Sequence, residues 1–92
     1  MSITSDKPGH GLQFPGTFEI IAMGAAGTAL ETRMVEALEV AGFTVHRERH
    51  RRRPSAQGNW VSVSYAFDAA SRADHDRAHA LLRALPGVKW TL

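Results

Sequence analysis

The residues most able to do chemistry in this chain are five arginines within seven positions, namely Arg47, Arg49, Arg51, Arg52 and Arg53. Guanidinium groups form paired hydrogen bonds with phosphates and carboxylates, so a cluster of them predicts an anion-binding surface. The anion could be a phosphate, a nucleic acid or an acidic protein. A charge run of this kind is more often a solvated hairpin tip, and the sequence alone leaves both interpretations open.

Groups that could carry catalysis are scarce. The chain has no cysteine, and Ser62 and Ser64 fall in a strand-like segment without the glycine-flanked turn that exposes a nucleophilic serine. An acylphosphatase-like reaction would need an arginine and an asparagine in an anion-binding loop, and residues 16–27 contain neither. We therefore expect a protein that is not an enzyme.

Metal and cofactor motifs are also missing. His75 and His79 have the spacing at which two imidazoles can share a metal, but no nearby Cys, Glu or third His completes a set. Residues 24–27 join a strand to a helix, where backbone N–H groups can hold an anion, yet the nucleotide-binding glycine patterns are absent and a tight turn explains the glycines equally well. We expect neither a metal nor a cofactor.

Length and charge limit the remaining classes. Ninety-two residues fit one domain, and a net charge of +2 is too small for whole-surface attraction to nucleic acid or membrane. The start, Met1 to Gln13, has no apolar run that could act as a secretory signal, so we expect a cytoplasmic protein. Its glycine, proline and polar residues predict a flexible arm over 1–13, followed by a single domain over 14–92.

The first half of the chain predicts a strand, a helix and a second strand. Alternating residues over 17–23 predict the first strand, and Thr28 followed by Glu31 has the form of a helix capping box. Apolar residues then recur at helical spacing until Gly42, which suits the end of a helix. The second strand is predicted over 43–50, and residues 51–58, with Pro54 and Gly58, predict a hairpin loop.

The second half repeats this order. Residues 59–68 alternate clearly, with Val61, Val63, Tyr65 and Phe67 on one face of the predicted third strand. Ser71 is placed to cap a second helix, whose buried stripe would end before Pro86-Gly87. A short last strand is predicted from Val88, Trp90 and Leu92, which alternate with polar residues.

The element order predicts an α+β fold, a ferredoxin-like β-α-β-β-α-β sandwich with a four-stranded antiparallel sheet and two helices on one face. The other sheet face is left open, and it is more apolar than solvation requires. The residues of this candidate interface are Ile21, Met23, Trp60, Ser62 and Ser64.

Three stretches carry a resemblance to a known family. These are Phe14-Pro15 with the later Met23-Gly24, the run Ser55-Ala56-Gln57-Gly58-Asn59-Trp60, and the closing Val88-Lys89-Trp90-Thr91-Leu92. Over residues 14–92 the chain resembles the small bacterial proteins typified by YbeD, which carry the domain of unknown function 493. The resemblance implies an ACT-like, ferredoxin-like fold and a regulatory or ligand-sensing role, and it brings no catalytic residues.

Two functional hypotheses follow from these observations. The first is an ACT-like regulatory or interaction module without enzyme activity. It would bind a partner protein or a small ligand through the open sheet face, as a homo-oligomer or docked on an enzyme that it modulates. The alternative is phosphate or nucleic-acid binding through the arginine hairpin. An RNA reader is not favoured, because the aromatic and glycine pattern of RNA-recognition motifs is missing.

Overall fold

The computed structural model describes residues 13–92 and contains six elements in the predicted order. They are β1 (Gly16–Ala25), α1 (Leu30–Val40), β2 (Val45–Pro54), β3 (Trp60–Ala69), α2 (Arg72–Arg83) and β4 (Val88–Thr91). All strand pairs are antiparallel, and the sheet order is β2-β3-β1-β4. The predicted ferredoxin-like sandwich is confirmed. The predicted flexible arm, apart from Gln13, lies outside the described residues.

The core lies between the two helices and one face of the sheet. Ile20 and Ala22 of β1 point toward the helices, as do the alternate residues of β3, and all are at most 6% exposed. The predicted alternation of β3 is therefore confirmed. The helices contribute the remaining fully buried side chains, chiefly Leu30, Met34, Leu38, Ala78 and Leu82.

The start of α1 differs from the predicted capping box. Ala29 is the N-cap residue, in the left-handed region with φ of 54°, and no side chain caps the helix. The Thr28 hydroxyl instead donates to the carbonyl of Ala25 at 2.8 Å. Glu31 turns to Arg52 of β2. The prediction was wrong because both side chains find partners outside the helix end.

The predictions for the end of α1 and the start of α2 are confirmed. Gly42 has φ of 97°, its N–H donates to the Glu39 carbonyl, and the next N–H, of Phe43, donates to Leu38. This is the Schellman arrangement, which favours glycine at the left-handed position. The Ser71 hydroxyl accepts from the backbone N–H of Asp74 at 3.2 Å.

Strand β2 continues much further than predicted. Residues 51–54 were expected in a loop, but Arg51, Arg52 and Arg53 pair with Ser64, Val63 and Ser62 of β3. The turn spans only 55–59. Charged residues are compatible with this strand because β2 is at the sheet edge, where side chains reach solvent while the backbone completes the ladder.

A wide bulge interrupts β2. His46 pairs with Ala66, whereas Arg51 pairs with Ser64, so residues 47–50 all lie opposite Tyr65 alone. The bulge carries two of the five arginines away from the regular ladder.

Within residues 13–92, no helix is both long and apolar enough to cross a membrane.

Candidate ligand-binding site on the open sheet face

The residues of the predicted interface share the face of the sheet that carries no helix. Ile21 lies opposite Ser64, Met23 opposite Ser62, and Ala25 opposite Trp60. The core-facing residues of β1 and β3 occupy the alternate positions. The sequence therefore placed this set on the correct face, while its role as an interface stays a prediction.

A depression of about 500 Å³ lies on this open face. Ile21, Ser62 and Ser64 of the two central strands line it, and Ser64 is only 6% exposed. The flanking strand β2 contributes three arginines, the central strand β1 also contributes Glu19, and two apolar residues come from β4 and the residue after it. The full lining is Glu19, Ile21, Arg51, Arg52, Arg53, Ser62, Ser64, Trp90 and Leu92. We call this the sheet-face depression.

Trp90, rather than Trp60, lines the sheet-face depression. Trp60 is the first residue of β3, and the ammonium group of Lys89 lies 5.0 Å from its ring centroid. Trp90 pairs with Met23 across the β1–β4 ladder and is 40% exposed. The sequence analysis did not assign Trp90 to this face, because its orientation depends on a register shift between β1 and β4.

The last strand does not alternate as predicted. Val88 pairs with Gly24 and packs against the core, whereas Trp90 pairs with Met23, and the register shifts between these two positions. Thr91 returns to the helix side, where its hydroxyl meets His79. The shift is what brings Trp90 onto the open face.

The five arginines do not form a single anion-binding surface. Arg47 makes two hydrogen bonds to Glu39 of α1, at 2.8 and 3.3 Å, and Glu39 raises the pKa of this guanidinium. Arg52 lies on the helix side, with its Nε 2.9 Å from a carboxylate oxygen of Glu31. These two arginines are thus held by acidic residues of the first helix.

The other three arginines face different surroundings. Arg51 lies on the open face, 3.6 Å from a carboxylate oxygen of Glu19. Arg53 also lines the sheet-face depression and has no ion pair with any of the residues 13–92. Arg49 lines a neighbouring polar cavity of about 420 Å³ at the bulge, which shares Glu19 and Arg51 with the sheet-face depression. The arginines of the predicted hairpin are therefore divided between the helix side, with Arg47 and Arg52, and the open face, with Arg49, Arg51 and Arg53.

The bulge is packed against the sheet by an aromatic contact. The ring of His50 stacks on Tyr65 with 4.9 Å between centroids. Tyr65 is almost fully buried, and this burial raises the pKa of its phenol. The arrangement fixes the bulge to the sheet.

A polar cluster joins β1, β2 and β3 at the other end of the open face. The carboxylate of Asp68 accepts from the Thr17 hydroxyl at 2.6 Å and lies 2.7 Å from Nε2 of His46. These contacts hold the pKa of Asp68 below its usual value, the Thr17 hydrogen bond being the larger cause. The cluster ties the start of β2 to the central strands.

The histidine pair of α2 packs between this helix and the sheet rather than in a cleft. The rings of His75 and His79 are 4.9 Å apart, and the edge of His75 meets Phe18. Nδ1 of His79 lies 3.1 Å from the Thr91 hydroxyl, and burial, with His75 next, lowers the pKa of His79. Within residues 13–92, no three metal-ligating side chains are grouped.

Two backbone N–H groups where β1 passes into the following turn donate to other backbone groups of the protein. The N–H of Ala25 donates to the Gly87 carbonyl at 3.2 Å, and the N–H of Ala26 donates to Asn59 at 2.9 Å. Gly27 adopts a φ of 79°, which explains its identity by turn geometry. This segment therefore resembles a structural turn more than an anion-binding loop.

The sheet-face depression thus combines three kinds of group that suit recognition of an organic anion. Guanidinium groups of Arg51 and Arg53 can form charge-assisted hydrogen bonds, and the hydroxyls of Ser62 and Ser64 can donate or accept. Apolar contact comes from Ile21 and from the two residues of the opposite wall, Trp90 and Leu92.

Sequence comparison finds relatives along the whole chain. Residues 10–92 match the family described as a protein of unknown function (DUF493). The chain is 49% identical over 92 residues to the UPF0250 protein Smlt4048 of Stenotrophomonas maltophilia, with all of both chains covered. It is 48% identical to a UPF0250 protein of Xylella fastidiosa, again over the full length of both.

Solved structures share the fold at low sequence identity. Protein HP0495 of H. pylori matches with a TM-score of 0.69 and 13% identity, over 97% of this chain and 98% of that one. The C-terminal domain of the MgtC protein from Mycobacterium tuberculosis matches with a TM-score of 0.63 and 16% identity, over 83% and 82%. These similarities concern the fold alone.

Proposed function

The chain belongs to the DUF493 family, and we propose that it is an ACT-like module that works by binding a small ligand in the sheet-face depression rather than by catalysis. In this proposal the helices and the core hold the sheet rigid. The open face then presents a fixed set of side chains to the ligand, and binding has a regulatory consequence.

The observation that carries the proposal is the combination of concavity and mixed lining on one sheet face. Small-molecule sites are concave and combine apolar walls with a few placed polar groups. The depression, of about 500 Å³, has arginines on the β2 side and Trp90 and Leu92 on the β4 side. The indole of Trp90, 40% exposed, thus lies across the depression from the guanidinium groups of Arg51 and Arg53.

Rigidity of the lining also supports a binding role. Ile21, Ser62 and Ser64 belong to the two central strands, which pair along ten residues of each strand. Sites built on such strands lose little conformational entropy when a ligand binds. The β1–β4 ladder on the other side is much shorter, so the Trp90 wall is the part able to adjust.

The test is a chemical-shift titration of the isotope-labelled protein with a panel of small organic molecules, including acids, amines and neutral compounds. We expect saturable shifts at the backbone and side-chain signals of Ile21, Ser62, Ser64 and Trp90. Ser62→Phe places a ring in the depression and should remove these shifts. Val40→Phe, at a position 89% exposed on α1, is the matched control and should leave them unchanged.

Other results would contradict the proposal. Shifts confined to the groove between the helices, lined by Ala37, Val40, Leu81 and Leu85, would move the site to the opposite side of the molecule. If light scattering showed a dimer that buries the open face and no small molecule shifted its signals, a second copy of the chain would be the occupant instead.

A further inference from the structure

We propose that the ligand of the sheet-face depression is an organic acid with a single carboxylate and a flat apolar body; this inference rests on the proposed function. The carboxylate is placed against Arg53 and Arg51, and the apolar body lies between Ile21 and Trp90.

The charges of the lining side chains favour a ligand with one negative charge. Three arginines line the depression, but Arg52 is held on the helix side by Glu31 at 2.9 Å. Arg51 faces Glu19, which lines the same depression. Once these pairs are set aside, Arg53 is the arginine of this lining that has no ion pair with any of the residues 13–92.

Glu19 makes the depression favour a ligand carboxylate over a ligand phosphate. A phosphate monoester carries close to two negative charges at neutral pH, and it would bring them next to the Glu19 carboxylate. A monocarboxylate needs only the charge that Arg53 supplies. The Arg51–Glu19 contact, at 3.6 Å between exposed groups, is a weak pair, so Arg51 can turn toward a bound carboxylate without a large cost.

The remaining lining fits a flat apolar body. Trp90 offers part of its indole ring across the depression from the arginines, and Leu92, 67% exposed, extends the same wall. Ser62 and Ser64 have short side chains, so they leave room above the sheet while their hydroxyls stay within the depression. An aromatic ring stacked on Trp90 would remove apolar surface from water on both partners.

The experiment compares four probes that share one ring system and differ in head group: 2-naphthoate, 2-naphthyl phosphate, 2-naphthylmethanol and 2-naphthylmethylamine. Titrations follow the indole N–H signal of Trp90 and the amide signals of Ser62 and Ser64. We expect 2-naphthoate to bind about tenfold more tightly than the alcohol, since a hydrogen-bonded ion pair with Arg53 is lost in the neutral compound.

Variants assign the charge recognition to individual residues. Arg53→Gln should weaken 2-naphthoate about tenfold and leave the alcohol unchanged. Arg49→Gln is the matched control, since it makes the same change on the same strand outside the depression. Glu19→Gln should improve binding of the phosphate more than that of the carboxylate.

The outcomes separate the two proposals. If the alcohol binds as tightly as the acid, or if the phosphate binds more tightly than the acid to the unaltered protein, the monocarboxylate proposal is overturned while the depression remains the binding site. If none of the four probes shifts the open-face signals, and the wider panel also fails, both proposals are wrong.

Discussion

Arg52 meets Glu31 across the helix side of the sheet, with its Nε 2.9 Å from the glutamate Oε2, while its neighbours Arg51 and Arg53 line the opposite face. Alternation along a strand forces this division, because successive side chains point to opposite faces. A loop would have allowed all three guanidinium groups to converge on one anion. The strand prevents it, and so the arginine run is divided between the helix side and the open face of the sheet.

The Arg52–Glu31 pair is expected to make a small contribution to stability. Both side chains are partly exposed, and such pairs contribute about 0.5 kcal/mol, within a range of roughly 0–1 kcal/mol. Urea unfolding of Arg52→Gln, Glu31→Gln and the double variant gives the coupling energy directly. A coupling above about 2 kcal/mol would mean that the pair is far better desolvated than its exposure indicates.

Two backbone positions at the ends of α1 should respond in opposite directions. Ala29 has φ of 54° and Gly42 has φ of 97°, and only glycine adopts such values without strain. We expect Ala29→Gly to raise the free energy of unfolding by about 0.5–1 kcal/mol and Gly42→Ala to lower it by about 1 kcal/mol. Thermal unfolding measures both changes.

A steric clash cannot explain the loss of stability expected for Gly42→Ala. A Cβ atom built there would meet nothing within 4 Å, so backbone strain alone would cause the loss. If Gly42→Ala left stability unchanged, the left-handed conformation at the helix end would have to be wrong. Ala29→Gly with no gain would contradict the conformation of the N-cap residue in the same way.

The fold could be predicted because its signals are local and agree with one another. Alternation in β3, the glycine at the end of α1 and the serine at the start of α2 each specify one element. The continuation of β2 over residues 51–54 could not be predicted, since these residues carry no apolar period. Their strand conformation is imposed by hydrogen bonding to β3 at the sheet edge, which is a tertiary effect.

The candidate site could be predicted only in part. Ile21, Ser62 and Ser64 follow from strand alternation, so they were assigned to the open face correctly. Trp90 was missed because its face depends on a register shift against Met23. The division of the arginines was missed for a related reason: a loop was assumed where the chain forms a strand.

Acidification should reduce the stability of the protein through His79. The pKa of this group is lowered from 6.5 in the folded chain by burial, by His75 and by Arg83, while Asp76 acts in the opposite direction. As the pH falls below 6.5, the unfolded chain binds a proton at this position that the folded chain does not, so stability decreases until the folded pKa is passed.

The measurement is the free energy of unfolding at pH 7.5 and at pH 5, compared between the unaltered protein and His79→Gln. Glutamine cannot take up the proton, and its amide can still reach the Thr91 hydroxyl. The decrease on acidification should be smaller in the variant. Equal decreases in the two proteins would show that His79 does not cause the pH dependence.

Nucleic-acid binding through the arginine run is expected to be weak and strongly salt-dependent. Arg47 and Arg52 are held by glutamates of α1, and the net charge of the whole chain is only +2. Fluorescence anisotropy with a labelled single-stranded RNA should detect no binding at 150 mM salt, a condition that screens exposed charges beyond about 8 Å. Micromolar binding that survives this salt and is lost when Arg51, Arg52 and Arg53 become Ala would restore the alternative hypothesis.

The two tryptophans should differ in their effect on ligand binding although their exposure is similar, 36% for Trp60 and 40% for Trp90. Trp90 lines the sheet-face depression, whereas Trp60 lies outside it with Lys89 over its ring. Trp90→Ala should weaken 2-naphthoate about tenfold, because stacking and burial on the indole are lost. Trp60→Ala should change the affinity less than twofold.

Each tryptophan variant also tests a different explanation for the apolar open face. In one outcome, Trp60→Ala dissociates an oligomer seen by light scattering while ligand binding persists. The beginning of β3 would then be an interface between copies that is distinct from the ligand site. If Trp60→Ala abolished 2-naphthoate binding and Trp90→Ala did not, the ligand would lie over Trp60. In that case the assignment of the site to the lining of Ile21, Ser62 and Trp90 would be wrong, since Trp60 does not line the sheet-face depression.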